Sequence, residues 1–171
     1  EIYTLSLHDA LPILIMRYID LHVHSNCSDG TFSPEELVVL GIKQELVAFA
    51  LTDHDTISGV ERAIKKAEEF DNKIQVIPGM ELSCKYTISS SQSVEIHMLG
   101  YRYDIHNKKL IATLEDISNE RDERNRKMCS KLQNAGFPIS YDMLCERFGD
   151  TILTRAHFAR LLLENGGVPS L

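Results

Sequence analysis

The 171-residue chain is 43% hydrophobic and 25% charged, the balance of a globular protein able to bury a core without disulfide staples. Its 18 Lys and Arg against 25 Asp and Glu leave a net charge of −7, which excludes a broad phosphate-neutralising surface and so argues against duplex DNA as a partner. No apolar run approaches the roughly 20 residues of a membrane span and no basic segment leads into an apolar signal stretch, so no membrane partner is expected. Cys27, Cys84, Cys129 and Cys145 form no C-x-x-C pair, which makes a reducing cytoplasm the simplest setting.

Residues 1–14 look like translated sequencing-adapter sequence and are set aside as a non-native leader, so His8 and Asp9 are not recruited as ligands. From Met16 the chain takes on the pattern of a folded domain. Ile19 to Val23 alternates apolar with polar residues and predicts a strand carrying Asp20, His22 and His24 on one face, followed by a turn over Ser25–Gly30. Two imidazoles and a carboxylate at a strand end suit a borderline divalent metal, although an isolated H-x-H is more often surface or satisfied core.

Ser33-Pro34-Glu35-Glu36 predicts a helix start, with Ser33 as N-cap, Pro34 in the first turn and Glu36 closing a capping box. The unbroken apolar run Leu46–Leu51 predicts a strand buried on both faces, ending in Thr52-Asp53-His54-Asp55. A helix over about Ser58–Phe70 leads to a third strand, Ile74–Ile77, which Pro78-Gly79 terminates just before Glu81. Residues 82–88 and 94–101 then predict an antiparallel pair that carries His97. From Asn107 the period changes to 3–4, giving one long helix to about Gly136, a short one over Tyr141–Phe148 and a last one capped by Thr154.

In β-α-β crossovers, ligands gather outside the carboxyl ends of the strands. His22, His24, Asp29, His54, Glu81 and His97 are all expected at such ends or in adjoining loops. Asp20, Asp53 and Asp55 are read as carboxylates that orient ligating imidazoles, with helix capping an equal alternative for Asp53 and Asp55. Cys27 is read as a small buried thiol. Arg121 and Arg124 interrupt the apolar stripe of the long helix, either as phosphate clamps or as stems packed on the core with solvated heads.

Four blocks together, Asp20-Leu21-His22-Val23-His24-Ser25 with Ser28-Asp29-Gly30, Thr52-Asp53-His54-Asp55, Pro78-Gly79-Met80-Glu81 and Glu95-Ile96-His97-Met98-Leu99-Gly100, resemble the first motifs of the PHP (polymerase and histidinol phosphatase) superfamily. The chain is most similar to its phosphoesterases of nucleoside 3′,5′-bisphosphates and RNA 5′ ends. That resemblance implies an α/β fold, the N-terminal part of a distorted (β/α)7 barrel over 16–106 with a helical insertion over 107–171. It also implies two or three divalent ions, manganese foremost, with zinc, iron and magnesium as alternatives. His22 and His24 would bind one ion, Asp29 and His54 a second, Glu81 would bridge, and His97 would bind a third.

The same resemblance places Thr154-Arg155-Ala156-His157-Phe158-Ala159-Arg160 in the helical insertion, where a basic residue can face substrate phosphate, Arg155 and His157 being the candidates beside the clamp reading of Arg121 and Arg124. The superfamily pattern continues with a further His-bearing strand end and an Asp-x-His motif, and neither appears before Leu171, so the barrel is expected to be incomplete at its C-terminus. The implied activity is hydrolysis of phosphoesters of small nucleotides or short RNA by a metal-activated water. A histidinol-phosphatase-type phosphomonoesterase and a non-catalytic PHP metal-binding module are the alternatives.

Overall fold

The computed structural model describes residues 17–168, so the adapter-like leader over 1–14 and the last three residues lie outside the described residues. The sheet contains β1 (Tyr18–Val23), β2 (Leu46–Leu51), β3 (Gln75–Ser89) and β4 (Gln92–Tyr101) in that spatial order. The first three strands are parallel and are linked by α1 (Pro34–Lys43) and α2 (Val60–Glu68); β4 returns antiparallel to β3. Three helices complete the chain: α3 (Lys108–Asn134), α4 (Tyr141–Phe148) and α5 (Arg155–Glu164).

The start of α1 uses every signal in its sequence. Ser33 Oγ accepts from the Glu36 amide at 3.2 Å, the Glu36 carboxylate accepts from the Ser33 amide at 2.8 Å, and Pro34 stands in the first turn, where a missing N–H is harmless. α1 and α2 lie on one face of the sheet. Leu37 and Val38 of α1 and Val60, Ala63 and Ala67 of α2 pack with Phe49 and Leu51 of β2 and with Ile74 and Val76. The small Ala48 and Ala50 point to the opposite face of β2 and are also buried, which explains the unbroken apolar run.

Two expectations at the third strand need correction. It does not stop at Ile77 but runs through Pro78-Gly79 for 15 residues, so Glu81 and His97 sit inside paired strands and not at strand ends. Pro78 is the last residue paired with β2, opposite Leu51, and Gly79 is the first paired with β4, opposite Tyr101. The breaker pair therefore marks a change of partner, made where the absent proline N–H interrupts no continuing ladder. Gly79 is required by proximity, since a Cβ there would come within 2.7 Å of Thr52 Cγ2 and 2.8 Å of the Leu51 carbonyl oxygen.

The sheet curls. Tyr101 Oη at the end of β4 donates to the Leu21 carbonyl of β1 at 2.8 Å, across two intervening strands. Register assigns Glu81 with Leu99 and Ser83 with His97 to one face of the hairpin, and Leu82 with Met98, Cys84 with Ile96 and Tyr86 with Val94 to the other. The helices after Asn107 have a core of their own, built from Cys129, Ile139, Leu144, Leu153, Phe158 and Leu161. Arg121 and Asn125 instead occupy the buried stripe of α3 nearer the sheet.

Candidate metal centre

The first strand delivers His22 within β1 and His24 just beyond its end. The chain then doubles back: the Ser25 carbonyl accepts from the amides of Ser28 at 3.1 Å and Gly30 at 2.9 Å. Only glycine fits at position 30, because a Cβ would lie 2.2 Å from the His24 carbonyl oxygen. This turn carries Asp29 back onto His24, with Oδ1 2.9 Å from Nδ1.

Beneath the loop lies Asp53, which is buried and accepts from the Ser25 amide at 2.7 Å, Ser25 Oγ at 2.6 Å and Ser28 Oγ at 2.7 Å. It fixes the loop, and neither orients an imidazole nor caps α2 as expected, because its oxygens are already taken by these donors. Asp20 accepts from the backbone N–H of His22 at 3.1 Å rather than from a ring. Asp55 takes a positive φ of 50°, a conformation aspartate tolerates. Its amide donates to the Glu81 carbonyl at 3.0 Å while the Glu81 amide donates to the Asp53 carbonyl at 3.1 Å, which sets His54 level with Glu81 in a parallel bridge.

Six predicted ligands converge through these local devices. Glu81 Oε2 lies 2.8 Å from His22 Nε2 and 2.9 Å from His24 Nε2, and Glu81 Oε1 lies 2.7 Å from His97 Nδ1. His54 Nε2 is 3.5 Å from Asp29 Oδ2. Three overlapping groups result, His22/His24/Glu81, His24/Asp29/His54 and His54/Glu81/His97, each with its ligand atoms within 4.8 Å of one another.

The electrostatics follow from this crowding. Burial alone would push the Glu81 carboxyl up, yet the hydrogen bonds from His22 and His97 and the charges of His54 and His24 hold it below its ordinary value. Asp29 is drawn from 3.8 to about 2, chiefly by its hydrogen bond to His24. Burial opposes protonation of His24, but the Asp29 hydrogen bond and the charges of Asp29, Glu81 and Asp53 outweigh it and raise its pKa. For His54 burial prevails and the pKa falls, which favours the neutral, metal-binding form.

The residues fit a divalent ion on a specific observation. His54 Nδ1 is buried without a hydrogen-bond partner among the described residues, and it faces Glu81 Oε2 at 3.7 Å. That separation is too long for a hydrogen bond and matches two ligands of one ion, each bonded at about 2.1 Å. Mixed imidazole and carboxylate donors suit the borderline divalent metals.

The four expected phosphate contacts divide. Arg124 and Arg155 line a cleft of about 140 Å³ together with Asp29, His54 and His97. Arg124 Nε is buried without a partner among the described residues, and burial together with neighbouring Arg121 and Arg155 lowers its pKa. Arg155 is exposed and pairs with Glu95, Nη2 to Oε2 at 2.7 Å. Arg121 also borders the cleft, but it departs from both expected roles: its guanidinium is buried, paired with Asp55 and donating to Ser83 Oγ at 2.7 Å. His157 is buried at the start of α5, where Nδ1 accepts from the Thr154 amide at 2.9 Å and the ring meets Phe148 edge-on. It replaces the usual glutamate of a capping box, so the T-x-x-H pattern is itself the signal for a structural role.

Comparison with known proteins agrees with this geometry. The profile described as PHP domain matches residues 20–162. A 5′-3′ exoribonuclease of Haemophilus influenzae is 38% identical over 149 residues, 87% of this chain and 52% of the relative. A 3′,5′-nucleoside bisphosphate phosphatase of Chromobacterium violaceum is 32% identical over 158 residues, 91% of this chain and 53% of the relative. Among solved structures, an amidohydrolase of Chromobacterium violaceum with bound sulfate and no metal superposes with a TM-score of 0.77 at 32% identity, covering 89% of this chain and 51% of that one. The chain thus spans about half the length of the relatives it matches.

Proposed function

Because this chain belongs to the PHP domain family, we propose that the protein hydrolyses phosphoesters of small nucleotides or RNA 5′ ends with two or three divalent ions, manganese foremost, held by His22, His24, Asp29, His54, Glu81 and His97. His54 Nδ1, buried without a partner among the described residues and facing Glu81 at 3.7 Å, carries the reading, since an imidazole left so is otherwise costly. Bound divalent ions supply two things phosphoester hydrolysis needs, a water acidified toward neutral pH and positive charge against the phosphoryl oxygens. The remaining tasks belong to the chain. Glu81 links the imidazole groups, Asp29 and His54 complete a second cluster, and Arg124 and Arg155 draw the phosphate into the cleft.

Residues 16–106 then form the ligand-bearing part of the barrel and 107–171 a helical insertion that covers it. The four free cysteines fit a cytoplasmic setting, and no described helix is long and apolar enough to cross a membrane.

The test is release of phosphate from a nucleoside 3′,5′-bisphosphate and from histidinol phosphate, and of nucleoside 5′-monophosphate from a 5′-phosphorylated RNA oligomer, by metal-stripped protein with and without Mn²⁺. Turnover of the bisphosphate or of the RNA, restored by Mn²⁺ and lost in Glu81→Gln together with the Mn²⁺ sites that contain Glu81, is expected. Turnover of histidinol phosphate alone would favour the other phosphatase branch, and Mn²⁺ binding without any turnover would leave a metal-binding module. Arg155→Ala should raise KM for the phosphorylated substrate about tenfold, with kcat little changed; unchanged kinetics would remove Arg155 from the site.

A further inference from the structure

Five of the six candidate ligands sit on a strand, at its end or in a backbone bridge, so the sheet fixes them. Asp29 alone hangs on a loop. Asp53 holds that loop from below, through the Ser25 amide and the hydroxyls of Ser25 and Ser28. A second grip comes from the helical half. Thr151 Oγ1 lies 3.0 Å from both the Asn26 and the Ser28 carbonyl oxygens, so its single proton is shared between them, and the Ile152 amide donates to the Cys27 carbonyl at 3.1 Å. Three consecutive carbonyls of the ligand loop are thereby held by two neighbouring residues.

The gripping segment is itself anchored on both sides. On one side the Gly149 amide closes the end of α4 by donating to the Cys145 carbonyl at 2.8 Å. On the other side the Leu153 carbonyl accepts from Asn125 Nδ2 at 3.1 Å and Arg121 Nη1 at 3.4 Å, and Thr154 caps α5. Residues 149–154 therefore form a strap fixed to α3, α4 and α5 and pressed onto the loop that carries Asp29.

We propose that Thr151 is a positioning residue for the ion site of His24, Asp29 and His54, holding the Asp29 carboxylate in place through the backbone of residues 26–28. The inference rests on the metal-centre reading above. A ligating group must be held to within about 0.5 Å to be effective, by neighbours that are themselves locked by packing and hydrogen bonds, and the Thr151 and Ile152 bonds are the contacts that tie this loop to the helical half. The other two clusters contain no residue of the loop beyond His24 and do not depend on the strap.

The experiment uses the full chain stripped of metal and titrated with Mn²⁺ by calorimetry, with thermal unfolding of the same samples. Thr151→Val keeps the shape and removes the proton donor; Thr151→Ser keeps the donor. The expected result is one class of Mn²⁺ site weakened about tenfold in Thr151→Val, the remaining sites and Tm unchanged, and wild-type binding in Thr151→Ser. In metal-free protein, amides of residues 26–30 should exchange faster in Thr151→Val alone. Wild-type Mn²⁺ binding by Thr151→Val would overturn the proposal, as would equal weakening of every site together with a lower Tm. A wild-type chain that binds no Mn²⁺ would instead remove the metal centre itself, so the two failures are distinguishable.

Discussion

His24 and Asp29 hold opposite halves of one proton balance. The Asp29 pKa is lowered from 3.8 to about 2, so its contribution to stability is complete above pH 3.8 and is lost as pH falls toward 2. The His24 pKa is raised above 6.5, so its contribution is complete below pH 6.5 and is lost as pH rises through the folded-state value. Metal-free protein should therefore gain most from the pair between about pH 4 and 6.5, and Asp29→Asn should flatten the dependence of Tm on pH across both edges. Metal reverses the upper edge, because it takes the place of the imidazole proton: Mn²⁺ affinity should climb with pH, and titrations in buffers of different ionisation enthalpy should report proton release. All six candidate ligands are legible in the sequence, five of them in or beside a strand signal and Asp29 in the turn that follows the first strand. The true tasks of Asp53 and Asp55 are not, because a carboxylate's partners are decided by which donors the fold brings near, here Ser25, Ser28, Ser83 and Arg121.

The buried Arg121 joins helix α3 to the sheet. Arg121 pairs with Asp55, whose carboxylate also accepts from the Ser83 amide at 2.8 Å, so α3, the loop after β2 and β3 meet at a single charge pair. Removing one member leaves the other uncompensated. Asp55→Ala should lower stability by about 3–5 kcal/mol in denaturant unfolding, whereas replacing the exposed Arg155 should leave stability nearly unchanged. The length and amphipathic period of α3 are plain from its sequence, but an arginine within the stripe reads alike whether its head meets phosphate, solvent or a buried carboxylate. The strand through Pro78-Gly79 is hidden for a related reason: the breakers are real, and only the presence of a second partner, β4, lets the strand continue past them.

At the scale of the molecule, the α/β succession, the parallel order of the first three strands and the helical second half follow from the switch of hydrophobic period along the chain. The curl does not, since the contact of Tyr101 with Leu21 joins residues 80 apart that carry no mutual pattern. On the hairpin face away from the ligands, Tyr86, Ile88, Val94, Ile96 and Met98 are all exposed, an apolar surface next to the outer edge of β4 that favours edge-to-edge association. The 171-residue chain should self-associate at high concentration, and Met98→Lys, with Met98 56% exposed, should reduce light scattering without altering Mn²⁺ binding.

The strap over the ligand loop also imposes a timetable. Thr151 is separated from its partner Asn26 by 125 residues, so a chain made from its N-terminus presents His22, His24 and Asp29 long before the hydroxyl that steadies them exists. At about 5–20 residues per second that interval is roughly 6 to 25 seconds. During it His22, His24 and Asp29 lie outside the ribosome without the contacts to Glu81, His97 and finally Thr151 that give their cluster its defined shape.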